Sequence, residues 1–178
     1  PNLYILPMMQ YPHPKEYTQL GIKLMSLDYQ RELPEVKSTN YMMSLVAQRQ
    51  LRAIGAKDYL YYQDGVISES SRANLFIVTQ DDVIVTPEKN ILKGITRKKI
   101  IKIAKEHYAL EIRAIHLEEV FKAKEVFLTS SNKGALGVTQ IDDKVIGDGK
   151  VGVITKQLDQ LYQSIRNQYI EENQIVTA

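Results

Sequence analysis

The chain has 178 residues, 23 Lys or Arg against 21 Asp or Glu for a formal net charge of +2, 44% hydrophobic residues, and neither Cys nor Trp. That length and apolar content support one compact domain with its own core, and they exclude a disordered chain, a disulfide scaffold and any cysteine-ligated metal or cluster. No apolar run approaches the roughly 18 residues of a membrane span, no secretory leader is visible, and the basic excess is too dilute for a nucleic-acid stripe, so the expectation is a cytoplasmic protein without membrane or nucleic-acid partners.

Residues 1–14 carry four of the six prolines around Leu3-Tyr4-Ile5-Leu6, and residues 1–20 read as a linker with an extended entry strand. Residues 21–28 alternate apolar and polar side chains and predict a strand, after which Leu33-Pro34-Glu35-Val36 predicts an extended approach to Lys37. From about Asn40, the residues Tyr41, Leu45, Ala47, Gln48, Leu51 and Ile54 fall on helical spacing, with Ser38 or Thr39 as N-cap and Gly55 as the stop. Lys37 therefore stands just ahead of a helix. Asp64-Gly65 between the β-prone runs 59–63 and 66–69 predicts a hairpin with a type I′ turn, leaving Glu69 at the end of its second strand. Residues 74–79 and 83–86 form a second hairpin around Gln80-Asp81-Asp82, closed by Pro87. Gly94-Ile95-Thr96 then opens directly into a helix carrying Ile100, Ile101, Ile103, Ala104 and Tyr108. In that helix the cluster Arg97-Lys98-Lys99 with Lys102 and Lys105 reads as a solvated face.

Residues 110–115 and 125–129 predict strands around a short helix with Leu117, Val120 and Phe121. Five of the nine glycines fall between Gly134 and Gly152, which predicts turns and short strands, and a last helix runs through Leu158, Leu161, Ile165 and Tyr169. Hairpins grouped between helices point to an α+β fold with a mixed, barrel-like sheet and surrounding helices, and not to a doubly wound nucleotide fold. His13, His107 and His116 are scattered without metal-ligand spacing, so no metal site is expected, and no GxSxG elbow supports a hydrolase triad.

Four segments carry more specific information. They are Val36-Lys37-Ser38-Thr39-Asn40-Tyr41, Ser68-Glu69-Ser70-Ser71-Arg72-Ala73-Asn74-Leu75-Phe76, Ile91-Leu92-Lys93-Gly94-Ile95-Thr96-Arg97 and Glu125-Val126-Phe127-Leu128-Thr129-Ser130-Ser131. In this order they resemble the motifs of the class IV, fold type IV, pyridoxal-phosphate enzymes, which include branched-chain and D-amino-acid aminotransferases and aminodeoxychorismate lyases. The resemblance extends from about residue 1 to the C-terminus and covers only that family's larger C-terminal domain, with residues 1–20 expected as the interdomain linker, residues 21–178 as the cofactor-binding domain, and nothing corresponding to the smaller N-terminal domain.

The resemblance implies an enzyme that uses pyridoxal 5'-phosphate to move an amino group between an amino acid, branched-chain or D-, and a 2-oxo acid. It also implies a homodimer. Lys37 would attack the cofactor aldehyde and later move the substrate proton, a role suited to an amine whose pKa falls readily on desolvation. Glu69 would hold the proton on the cofactor ring nitrogen, and it stands five residues before Asn74 as in the family pattern, with Ser70 where Gly is usual. The Ile95 and Thr96 amides, reached through Gly94, would bind the phosphate dianion together with the Thr96 hydroxyl and Ser131. Tyr41 would hydrogen-bond the cofactor's phenolic oxygen. Two other readings fit the same residues: an aminodeoxychorismate-type lyase using Lys37 and Glu69, and a non-catalytic domain without cofactor.

Overall fold

The computed structural model describes residues 14–173. The extended entry expected over residues 1–14 lies almost wholly outside them. Residues grouped with that entry form helix α1 (Lys15–Leu20) instead, ended by Gly21 at a φ of 75°. Strand β1 (Ile22–Asp28) follows as expected. The approach to Lys37 is a turn rather than an extended segment: Val36 N donates to Leu33 O at 3.1 Å, because Pro34 presets the second position of a β-turn.

The single helix expected after Asn40 is two short ones, α2 (Met42–Val46) and α3 (Gln48–Ala53), meeting at Ala47. Tyr41 takes the N-cap position, and Asn40 Oδ1 accepts from Met42 N at 3.2 Å. The first hairpin is β2 (Asp58–Gln63) and β3 (Val66–Ile67), and its Asp64-Gly65 loop has both φ values positive, at 51° and 73°. That is the type I′ geometry. Strands β4 (Asn74–Val78) and β5 (Ile84–Thr86) form the second hairpin. Next come α4 (Ile95–His107), β6 (Leu110–Ile112), α5 (Leu117–Phe121) and β7 (Glu125–Ser130).

The glycine-rich stretch holds the longest strand, β8 (Gly134–Ile141), then β9 (Lys144–Val145), before α6 (Val153–Glu172). Glycine in β8 serves close packing: a Cβ at Gly137 would lie 2.7 Å from Val151 Cγ1. One mixed sheet in the order β3-β2-β1-β8-β7-β4-β5-β6, with β9 beside β8, curls into a half-barrel. The pairs β1–β2, β1–β8 and β5–β6 are parallel and the others antiparallel.

Alternation along β4 and β7 sends their side chains into two cores on opposite faces of the sheet. Leu75, Ile77, Val126 and Leu128 pack with Leu24, Leu60, Ile115 and Val120, while Phe76, Val78 and Phe127 face Ile100, Ala104, Ile154 and Leu158 of α4 and α6. Phe76 and Phe127 are cross-strand partners with rings stacked at 4.9 Å. On the same face as Phe127, buried Glu125 accepts from Ile154 N at 3.0 Å and from Thr155 N and Oγ1 at 2.8 Å. It pins the N-terminus of α6 to β7.

Candidate functional site

A cavity of about 590 Å³ opens where the turn after β1, the loops after β3 and β7 and the N-terminus of α4 converge. All seven residues singled out from the sequence line it: Lys37, Tyr41, Glu69, Gly94, Ile95, Thr96 and Ser131. Lys37 is exposed at its mouth, in the turn that precedes α2. Two tyrosines of β2 anchor the helix behind that turn: Tyr59 donates to Ser44 O, and the Tyr61 hydroxyl bonds Ser44 Oγ, both at 2.8 Å. Burial pushes the Tyr61 phenol up to about 12, so it stays protonated through ordinary pH.

Glu69 is 3% exposed, two residues past β3. Its Oε1 accepts from Arg31 Nη1 at 3.0 Å, and Oε2 accepts from Leu92 N at 2.9 Å and Asn74 Nδ2 at 3.3 Å. Burial raises the carboxyl above its ordinary value, while the Leu92 amide and Arg31 pull it back down. The same Arg31 donates through Nη2 to Val36 O at 2.8 Å. One guanidinium thus ties the backbone beside Lys37 to the buried carboxylate. Asn74 works in parallel, donating through Nδ2 to Leu92 O at 2.7 Å.

At α4 the Lys98 amide donates to Gly94 O at 3.0 Å, and no side chain caps the helix. The Ile95 and Thr96 amides precede the first intrahelical bond and remain available to an anion. A Cβ at Gly94 would overlap Asn74 Oδ1, so only glycine lets the chain pass this close to Asn74. Thr96 is buried, with its hydroxyl 3.5 Å from that of Tyr162. Ser131 is exposed in the loop after β7. Over Tyr41 the Arg72 guanidinium stacks at 4.6 Å.

Several lining residues were not legible as such. Arg97, read as part of a solvated face, is buried, donating to Thr86 Oγ1 at 3.1 Å and Pro87 O at 2.8 Å. Its spacing to Ile100 and Ala104 was the available signal. Lys98, Lys99, Lys102 and Lys105 are exposed as expected. Arg31, 38 residues from Glu69 in sequence, left no local mark. Ser70 and Thr129 line the cavity, and their hydroxyl oxygens are buried with no hydrogen-bond partner among the described residues. Seven Lys or Arg line it against two carboxylates, Asp58 and Glu69. No group of residues suited to a metal ion occurs among the described residues.

Chemically, this is an accessible amine, a buried carboxylate held by three donors, and free helix amides in an electropositive cavity. Such a set can capture a carbonyl compound, hold a proton on a ring nitrogen and bind a dianion.

The family model described as "Amino-transferase class IV" matches residues 1–141. The chain is 36% identical over 141 residues to the "Putative branched-chain-amino-acid aminotransferase" of Methanocaldococcus jannaschii, covering 76% of this chain and 48% of that protein. It is 29% identical over 154 residues to the D-alanine aminotransferase of Bacillus licheniformis, covering 85% and 54% respectively. A structure of the T.th. branched-chain amino acid aminotransferase with pyridoxamine 5'-phosphate superposes with a TM-score of 0.76 at 28% identity, over 88% of this chain and 54% of the other. The chain spans about half the length of these relatives.

Proposed function

The chain belongs to the class IV aminotransferase family, and we propose that it forms the cofactor-binding part of a pyridoxal-phosphate-dependent enzyme that moves an amino group between an amino acid, branched-chain or D-, and a 2-oxo acid. The observation that carries this reading is the convergence on one cavity of Lys37, buried Glu69 and the uncapped amides of α4.

The residues present fit the cofactor. The free amides of α4 and the excess of lining cations would hold its phosphate, and the buried Ser70 and Thr129 hydroxyls are polar groups left unpaired in the wall of the same cavity. When bound, pyridoxal phosphate supplies a sink for the electron pair left on the substrate Cα. The protein does the rest. Lys37 would hold the cofactor covalently through its amine and, once displaced by substrate, carry the Cα proton. Glu69 would keep the ring nitrogen protonated, with Arg31, Leu92 and Asn74 fixing where its charge points. Ile95, Thr96 and Ser131 would hold the phosphate, and Tyr41 the phenolic oxygen, with Arg72 stacked on its ring.

Helix α2 buries none of its residues, and Met42, Leu45 and Val46 are each at least 64% exposed beside the Lys37 turn. That apolar patch supports a homodimer, checked by light scattering at tens of micromolar, where a monomer argues against it. The substrates are soluble small molecules, which fits a cytoplasmic location. No helix among the described residues is long and apolar enough to cross a membrane.

The decisive test is covalent mapping. After incubation with pyridoxal phosphate and borohydride reduction, the pyridoxyl group should sit on Lys37 and be absent from Lys37→Ala. Lys37 is exposed, so that variant should unfold within about 0.5 kcal/mol of the parent. Label on another lysine, or none on the parent, overturns the reading. Adding an amino acid alone should accumulate the pyridoxamine form, whereas a lyase acting on aminodeoxychorismate would release pyruvate.

A further inference from the structure

We propose that Lys133 is a built oxyanion-binding group of this cavity, with its ammonium positioned to take a phosphate or carboxylate oxygen of the molecule bound there. The identity of that molecule rests on the cofactor reading above, but the site itself stands on its own geometry.

The Lys133 side chain is only 13% exposed, and its Nζ donates to Asp58 Oδ2 at 3.0 Å. Among the described residues that is its one partner. An ammonium carries three donors, so two remain unspent on a group that has largely left water. Lysine is mostly an exposed residue, so a side chain this enclosed has few places other than the cavity to direct its remaining donors. Lys133 lines the cavity, so the missing acceptors are to be sought there.

Asp58 has no comparable need. Its Oδ1 accepts from Tyr59 N at 2.8 Å and from Ser71 Oγ at 2.5 Å, leaving Oδ2 for the lysine. The carboxylate is therefore a fixed post at the start of β2, and it holds the ammonium in place before any ligand arrives, which lowers the ordering cost of binding. The loop bearing the lysine is fixed from the other side as well. Lys133 N donates to Ser130 O at 3.2 Å, Gly134 turns at a φ of 63°, and Ala135 N donates to Asp159 Oδ1 at 2.9 Å. A side chain at Gly134 would overlap Asp159. This turn presents Ser131 and Asn132 to the cavity beside the lysine.

The electrostatics point the same way. Both carboxylates of the cavity are already paired, Glu69 with Arg31 and Asp58 with Lys133. The other lining cations leave the cavity net positive, which draws an anion toward the two donors that Lys133 has left beside Asp58.

The 178-residue chain, K133M and K133R would be titrated with inorganic phosphate and with succinate, following the amide resonances of Ser131, Asn132 and Gly134. Parallel titrations with pyridoxal phosphate and with pyridoxal would follow the visible absorbance. K133M should weaken at least one oxyanion tenfold or more, the loss expected of one charge-assisted bond. K133R should restore it to within about threefold. Loss confined to phosphate and pyridoxal phosphate assigns Lys133 to the cofactor phosphate, and loss confined to succinate assigns it to a substrate carboxylate. K133M leaves Asp58 buried without its cation, so the double variant D58N/K133M carries the same test should K133M fail to fold.

Equal oxyanion affinity in parent and variants, or no saturable shift in the parent, overturns the proposal. A parent that binds phosphate or succinate through Lys133 yet takes no pyridoxal phosphate at Lys37 overturns the cofactor reading and leaves this site standing.

Discussion

Replacing Arg31 with Met should reveal how the buried carboxylate is kept charged. The substitution removes the 3.0 Å bond to Glu69 and the 2.8 Å bond to Val36 O while retaining most of the aliphatic bulk. Losing a partner from a buried, charge-assisted pair costs about 3 to 5 kcal/mol when the remaining charge stays in place. At roughly 2 to 4 °C per kcal/mol for a chain of this size, Tm should fall by about 6 to 20 °C near neutral pH.

The pH dependence separates this cause from simple loss of packing. Burial already lifts Glu69 above its ordinary value of 4.5, and Arg31 is one of the groups holding it down. A carboxyl with a raised value binds more protons folded than unfolded between its unfolded and folded pKa. Its contribution to stability is therefore full below the unfolded value and falls as pH rises through that window. Without Arg31 the folded value rises further and the window widens upward. The gap between parent and R31M in urea unfolding should be smallest at acid pH, toward which Glu69 takes up its proton, and should grow toward pH 8. A gap independent of pH would refute the electrostatic account and leave Arg31 as a packing residue.

Glu69→Gln retains acceptors for the Leu92 amide and Asn74 but cannot hold a ring-nitrogen proton. Turnover of the complete enzyme should drop by at least a hundredfold while pyridoxal phosphate affinity changes less than tenfold; equal losses would make Glu69 purely structural. Glu125→Ala strips three acceptor contacts from the buried N-terminus of α6. It should cost about 3 kcal/mol or more in urea unfolding. A loss below about 1 kcal/mol would show that water replaces the carboxylate there.

Where physics is local, the sequence by itself was sufficient. Asp64-Gly65 dictated its turn because few residue pairs tolerate two positive φ values, and the β-prone run 74–79 dictated a strand, which forms over Asn74–Val78 and is buried on both faces. Gly94 ahead of Ile95-Thr96 set the helix start, and the four motifs named residues that the fold gathers in one cavity.

Other features depended on partners distant in the chain. Gly137 reads as a strand breaker until Val151 is seen to need its missing side chain. Pro34 favours an extended or a turn backbone equally well, and the Arg31 bond to Val36 O lies within the turn that formed. The helix after Asn40 divides at Ala47, where the buried alanine packs with Tyr59 and Tyr61 of β2, a contact that spacing alone cannot express. The pairings of Glu69 with Arg31 and of Asp58 with Lys133 span 38 and 75 residues. A charge has no periodicity to mark its partner, so only the tertiary structure decides which charges leave water together and which are left to meet a ligand.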